Sequence, residues 1–417
     1  MKILFFTSSI PSEKSVHPSQ SAPHIQSFHT IKELSKKYDI SLQILFDNSR
    51  KSKNLEDWEK KLIEKLKRNI KVLNPIFLSK IVIFDKLPSY LKKKIEENVV
   101  YNNYKLFFYK KQYFKNLKDE YHLFFSYLCP ESTSLLYGCK KKKISFEGDL
   151  HYQSYDASIK SLAANSIKKA FIKYYSILTN RIWRYLYCKF LNDYERVFCA
   201  NLNAISSLNG KLKNNYFIGT LWPESKTIKK HKKKSKINIL LSMGPKSKSA
   251  TGNAINYITT RLIPIIIKRI SYKNINFSVI SSSRISDREK KSFSKINTNI
   301  KGWVKDINNE LLECDIFVFL NNAGPIKAIF SRQIYAWSLG LCVLAHANSL
   351  KTMTQMKNDY NIMLGEDEVK IVDQMKKLID SYELRKKIGQ NGFKTYKNNF
   401  SPSVHTKNFS DYIESCL

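Results

Sequence analysis

Apolar and polar positions come in alternating blocks along this chain. Residues 2 to 7 form an apolar run, KILFFT, and a polar loop leads into HIQSFHTIKELSKKY, where Ile25, Phe28, Ile31 and Leu34 recur at helical spacing. The predicted helix ends in lysines and is followed by a second apolar run, ISLQILF. Strand, helix and strand in about 45 residues is how a doubly wound parallel sheet opens. Further strands are predicted at YHLFFSYL, KKISFEG and RVFCA, and the lysine-rich stretch from Lys51 to Lys118 is predicted to be mainly helical.

The pattern breaks at SKTIKKHKKKSK, residues 225–236, which holds one apolar residue and seven lysines. Such a run reads as a solvated linker. After it the alternation restarts, with INILLSMG as strand, NAINYITTRLIPIIIKRI as helix, INFSVISS as strand, INNELLEC as helix and DIFVFL as strand. A further helix, the strand LCVLAH and closing helices around DEVKIVDQMKKLIDSYELRKKIG complete it. The expected organisation is an N-terminal Rossmann-like domain over residues 1–224, the linker over 225–236 and a second Rossmann-like domain over 237–399. Residues 400–417 follow as a C-terminal helix. Two doubly wound α/β domains would turn the carboxyl ends of their strands towards a central cleft, which is where ligands bind in open α/β folds.

Charge changes the picture more than composition does. The 417 residues include 71 Lys and Arg against 35 Asp and Glu, a formal net charge of +36, with 43% hydrophobic residues. The hydrophobic share suffices for sizeable cores and excludes a disordered chain. Abundant Lys, Asn, Ile, Phe and Tyr is also what AT-rich coding produces, so the charge has a bland source as well as a functional one. Either way it suits acidic partners, nucleic acid or anionic lipid alike. The seven cysteines are scattered and never form C-x-x-C, which points to a reducing compartment without structural zinc. The opening apolar run is too short for a signal-peptide core or a membrane span, so the expected place is cytoplasmic or peripheral on the inner face of a membrane.

The order of features in the second half resembles the GT-B glycosyltransferases, in particular the retaining enzymes of family 4. INILLSMG followed by GNAINYITTRLIP resembles the strand, glycine, loop and long helix that begin the family's donor domain. KGWVKDINNELLECDIFVFL, IYAWSLGLCVLAH and NDYNIMLGEDEVKIVDQMKKLIDSYELRKKIGQNGFKTYKNNFS follow in the family's order. In the first half KISFEGDLHYQS and FCANLNAISSLNG carry a thinner likeness. The resemblance implies an α/β GT-B fold, a nucleotide-sugar donor, a glycan or lipid-linked acceptor and a C-terminal helix that packs back on the first domain.

Within that resemblance, Gly244 begins the loop of Lys246 and Lys248, where backbone N–H groups at a helix start and basic side chains suit a diphosphate. An ordinary exposed basic turn is the competing reading. In NNAGPIKAIFSRQIYAWSLG the family usually has two glutamates separated by seven residues, with a basic residue three before the second. Counting back from Gly340 puts Lys327 and Tyr335 at the glutamate positions and Arg332 at the basic one. Arg332 is thus expected to neutralise charge on the leaving group, and Gly324 to let the backbone approach the donor. Their plainer readings are a surface helix residue and a turn glycine. The loss of both carboxylates implies altered donor recognition, with a catalytically silent sugar- or partner-binding protein as the alternative.

On the acceptor side His151, in FEGDLHYQSYD, falls where the family often has a histidine close to the transferring sugar, flanked by Glu147 and Asp149. Turn chemistry is the competing reading. No D-x-D or H-E-x-x-H is present, and Glu366, Asp367 and Glu368 lie in a predicted surface turn, so no metal or other cofactor is expected. The segment IKKAFIKYYSILTNRIWRYLYCKF, residues 167–190, has six cations, many aromatics and no acid. It reads as a helix for an anionic membrane interface or as a core helix with a basic outer face. Nucleic acid is not an expected partner, because no nucleic-acid module is recognisable.

Overall fold

The computed structural model describes residues 1–17, 20–46, 54–77, 120–148, 166–206, 210–244, 249–304, 306–324 and 327–415. They form two compact units, Met1–Ala200 with Ala204–Ile218, and Asn201–Asn203 with Gly219–Leu417.

The first unit is built on a parallel sheet of β1 (Lys2–Thr7), β2 (Asp39–Phe46), β3 (Lys71–Val72), β4 (Ile76–Phe77), β5 (Leu123–Tyr127), β6 (Lys142–Glu147), β7 (Arg196–Cys199) and β8 (Asn215–Phe217). The order is β3-β2-β1-β5-β6-β7-β8, with β4 also paired to β2. β1 lies between β2 and β5, with Phe5 opposite both Leu42 and Phe125. Ile3, Leu4, Phe5 and Phe6 are fully buried, as expected of a strand covered on both faces. Each such side chain stabilises the fold by about 1.5 to 3 kcal/mol.

The helix after β1 spans Ala22–Leu34, but its inner face is not the one the apolar spacing indicates. Gln26, Ser27 and Thr30 are buried with Ile31 and Leu34, whereas Ile25 and Phe28 are half-buried. Ser27 can sit inside because its hydroxyl donates to the Pro23 carbonyl at 2.7 Å, so its polar atom is satisfied. Part of the Lys51 to Lys118 stretch is helical, at Asp57–Lys67; residues 78–119 lie outside the described set.

The second unit repeats the architecture with β9 (Ile237–Met243), β10 (Ile275–Ile280), β11 (Asn299–Lys301), β12 (Ile316–Phe319), β13 (Cys342–His346) and β14 (Met363–Gly365). All pairs are parallel, in the order β11-β10-β9-β12-β13-β14, the doubly wound order in which the winding reverses at the first strand. The helix after β9 starts at Ser249 and is interrupted by a π turn at Ile258–Leu262 before Ile263–Arg269. Pro264 has no N–H to donate, and the Thr259 and Thr260 hydroxyls bond the Ile255 and Asn256 carbonyls, which together displace the regular ladder. The closing helices are Glu368–Asp380, Tyr382–Asn399 and Pro402–Ser415. The last belongs to the second unit, where the buried His405 imidazole donates to the Gly219 carbonyl at 3.2 Å.

The lysine run at 225–236 also lies in the second unit, and it is not solvated along its length. Lys229 is buried, with its ammonium 3.2 Å from Asp315 and donating to the Leu312 carbonyl at 2.8 Å. His231 bonds the Gly340 carbonyl at 3.0 Å. An acidic partner just before β12, Asp315, is what lets one lysine of the run be buried.

Candidate functional site

In the second unit the sequence-predicted residues gather where β9 ends. Gly244 follows Met243 with a φ of 110°, a left-handed conformation that favours glycine. Arg332, the second residue of the Ser331–Ser338 helix, lays its guanidinium against it. A Cβ on Gly244 would fall 2.6 Å from the guanidinium carbon. Nη1 of Arg332 donates to the Met243 carbonyl at 2.6 Å and to Thr251 Oγ1 at 3.0 Å. Thr251 lies in the first turn of the Ser249–Tyr257 helix, and Asn321, just beyond β12, donates to the same hydroxyl at 3.3 Å.

Among the described residues no carboxylate pairs with Arg332. Burial without a counter-charge pulls its guanidinium down to about 10, since removing a cation from water is costly unless an anion faces it. A cation held by a carbonyl and a hydroxyl, beside a glycine at a strand end, is a place where an anion would be stabilised.

Gly324 meets the same helix, since a Cβ there would approach Asn253 Cβ to 2.9 Å. The loop that carries it is closed by its own residues. Asn322 Nδ2 donates to the Ala328 carbonyl and to Ser349 Oγ, and its Oδ1 accepts from the Ala328 N–H. Lys327 Nζ donates to the Asn322 carbonyl at 2.7 Å and to the Gly324 carbonyl. Asn201 Nδ2 holds the Lys327 carbonyl at 2.9 Å. Burial, and then the charge of Lys351, lower the Lys327 ammonium from its ordinary value. Lys327 is therefore both a source of positive potential and a brace of its loop.

Tyr335 stands one helical turn beyond Arg332. It is buried, its hydroxyl donates to Asn308 Oδ1, and its ring lies 4.9 Å from that of Trp222. Burial, with Asp306 nearby, pushes its phenol up, so it stays neutral at physiological pH. Asn308 is in turn the second residue of the Ile307–Glu313 helix, and its N–H donates to the capping Asp306 side chain at 3.0 Å.

Gly244, Arg332, Gly324 and Lys327 are thus linked through the helix that begins at Ser249, with Tyr335 on the helix of Arg332. Lys246, Lys248 and His151 lie outside the described residues, as does Asp149. Glu147 ends β6 in the first unit, fully buried, where Tyr187 donates to Oε2 and burial raises its carboxyl to about 7. Thr251, Asn321, Asn322 and Asn308 do not stand out in the sequence. The adjacent asparagines directly after an apolar strand were the signal, because side-chain amides at a strand end can satisfy loop carbonyls and hydroxyls at once. Among the described residues no group of three His, Cys, Asp or Glu is placed to hold a metal ion.

No protein-family model and no curated protein matches the sequence. Solved structures do. The chain is similar to sucrose-phosphate synthase from Thermosynechococcus elongatus, with a TM-score of 0.62 and 11% identity over 100% of this chain and 98% of that one. It is similar to HepE from Anabaena in complex with UDP and glucose, with a TM-score of 0.59 and 12% identity over the whole of both chains. A glycosyltransferase from Rickettsia africae gives a TM-score of 0.58 and 15% identity over 99% of this chain and 98% of that one. With its two parallel sheets and flanking helices, the chain has the α/β GT-B fold.

Proposed function

We propose that this protein is a glycosyltransferase that moves a sugar from a nucleotide-sugar donor to a glycan or lipid-linked acceptor. In this reading it retains the anomeric configuration and serves cell-surface polysaccharide synthesis from the cytoplasmic side, as a peripheral enzyme. The observation that carries the proposal is Arg332: a half-buried guanidinium that no carboxylate among the described residues pairs with, fixed at the end of β9 beside Gly244. A departing nucleoside diphosphate is the anion such a group serves. Its charge grows as the glycosidic bond breaks, so a prepositioned cation stabilises the transition state more than the ground state.

The other roles follow from position for the described residues and from the sequence resemblance for Lys246, Lys248 and His151. Gly244 leaves room for the Arg332 guanidinium that would meet the diphosphate, Lys246 and Lys248 follow it in the sequence as further cations, and Gly324 and Lys327 border the donor sugar. Tyr335 stands in for a carboxylate with a neutral hydroxyl, and His151 is assigned to the acceptor side by its place in the sequence alone. Neutralisation by side chains makes a bound metal unnecessary in this reading.

UDP-glucose is the first probe, because HepE is bound to UDP and glucose. Calorimetric binding of UDP-glucose, with turnover detected by mass spectrometry and unchanged by EDTA, is the expected result; an α-configured product checks retention. Arg332→Ala should cost about 2 to 4 kcal/mol of transition-state stabilisation. Unchanged turnover in that variant removes Arg332 from the site. A second reading, a silent sugar-binding protein, is favoured by Lys327 and Tyr335, which fill both glutamate positions and are each bonded within the protein. Binding without turnover over a panel of nucleotide sugars and acceptors would select it.

A further inference from the structure

The Ile167–Leu191 helix is apolar on two opposite faces. On one, Tyr187, Phe190 and Leu191 are buried in the first unit. On the other, Ile167, Phe171, Tyr174, Leu178 and Tyr185 are exposed by 92%, 65%, 69%, 47% and 68%. At about 100° and 1.5 Å per residue, these five fall in a strip roughly 60° wide and about 27 Å long. Five of the thirteen large exposed hydrophobic residues among those described are in this one strip. Scattered exposed apolar residues are ordinary, whereas a contiguous row marks an interaction surface.

The charges on this helix narrow what that surface meets. Its 25 residues contain no Asp or Glu, and the exposed Arg181 and Lys189 flank the strip at its edges. A second copy of the chain would bring two rows of cations together. Nucleic acid needs cations at the centre of the contact, and here the centre is apolar. An anionic lipid surface fits both features, since Phe, Leu and Ile enter the acyl boundary, Tyr sits at headgroup level, and Arg and Lys reach the phosphates. Among the described residues no helix is long and apolar enough to cross a membrane, so the helix would lie in the interface.

We infer that the outer face of the Ile167–Leu191 helix docks the protein on an anionic phospholipid bilayer. The inference deepens the proposed function and rests on it for the lipid-linked acceptor. The test is flotation of the full chain with vesicles of phosphatidylcholine alone or with 30% phosphatidylglycerol, at ~50 and ~500 mM NaCl. Wild type should bind the anionic vesicles, and salt should weaken binding. Phe171→Ser/Tyr174→Ser/Leu178→Ser should weaken it at least tenfold, and Arg181→Gln/Lys189→Gln severalfold. Circular dichroism should be unchanged, because all five positions face solvent. On the wild type, bound vesicles should slow hydrogen exchange of this helix selectively, which tests the surface without any substitution. No binding by wild type, binding of the triple variant equal to wild type, or protection elsewhere but not on this helix overturns the inference. So does an oligonucleotide that protects the helix when vesicles do not. UDP-glucose affinity, measured on the same variants, should stay at the wild-type value. Vesicle docking by a chain that binds no nucleotide sugar would sink the proposed function and leave the surface standing, and the converse pattern would do the reverse.

Discussion

The guanidinium of Arg332 occupies the space that a side chain on Gly244 would take, with its carbon 2.6 Å from the position of a Cβ there. Gly244→Ala therefore meets two obstacles, a φ of 110° and the arginine itself. The far end of Arg332 can move, so the fold should survive with a loss of about 1 to 2 kcal/mol for the left-handed backbone. Nucleotide-sugar affinity should fall more than tenfold, since Nη1 would leave the Met243 carbonyl and Thr251. Calorimetry on Gly244→Ala checks this, and wild-type affinity would show that Arg332 does not depend on that glycine.

Tyr335 is fitted to its own surroundings, with Asn308 accepting from its hydroxyl, Trp222 against its ring and Asp306 nearby. Restoring the expected carboxylate by Tyr335→Glu should therefore not improve donor binding. A buried glutamate would face Asn308 and Asp306 without a cation and lose the aromatic packing, costing about 2 to 4 kcal/mol. Tyr335→Phe should cost about 1 kcal/mol, the hydroxyl's bond alone. Urea denaturation of both variants checks the order. A stable Tyr335→Glu with tighter donor binding would mean that the tyrosine replaced a working carboxylate.

Lys327 bonds two carbonyls of its own loop, so comparing Lys327→Met with Lys327→Arg separates bracing from charge. The stem is retained and both carbonyls lose their donor, at about 1 to 3 kcal/mol if they stay buried. Lys327→Arg keeps the charge and should recover most of the donor affinity if electrostatics dominates there. Equal losses in donor affinity for Met and Arg would assign Lys327 to the loop's geometry.

The second unit was more legible in the sequence than its site. β12 is a continuous apolar run, β13 is apolar up to His346 and β9 is mostly apolar, so the hydrophobic pattern alone locates them. Short strands such as β3, β4 and β11 were not visible, because two or three residues carry no period and are fixed by their neighbours. Arg332 could be located by its spacing from Gly340. Its support could not, since the Met243 carbonyl and Thr251 flank one strand-to-helix loop and Asn321, which holds Thr251, comes from a distant part of the chain. In the Ala22–Leu34 helix the apolar spacing misled by one position, because Ser27 and Gln26 are buried polar residues and pattern reading treats polar as outside.

Two buried groups, Glu147 in the first unit and His405 in the second, should contribute pH dependences of opposite sign. Glu147 is a fully buried acid whose carboxyl is raised by burial from 4.5 to about 7, although the Tyr187 hydroxyl pulls the other way. The folded state then binds more protons than the unfolded one between those values, so its contribution is complete below 4.5 and is lost as pH rises through 7. His405 is a fully buried base lowered by burial from 6.5 to about 4, against the Gly219 carbonyl that its ring donates to. Its contribution is complete above 6.5 and is lost as pH falls through 4. Each interval corresponds to about 3 kcal/mol. Glu147→Gln keeps an acceptor for Tyr187 without the charge, and should gain stability relative to wild type from pH 5 to pH 8. His405→Gln keeps a donor for Gly219 and should gain relative to wild type from pH 7 to pH 4.5. Hydrogen exchange assigns each change to its unit: Glu147→Gln should alter protection in β5, β6 and β7, and His405→Gln in the Pro402–Ser415 helix. A pH dependence identical to wild type in Glu147→Gln would mean that the carboxyl ionises at an ordinary value, with water reaching it at the end of β6.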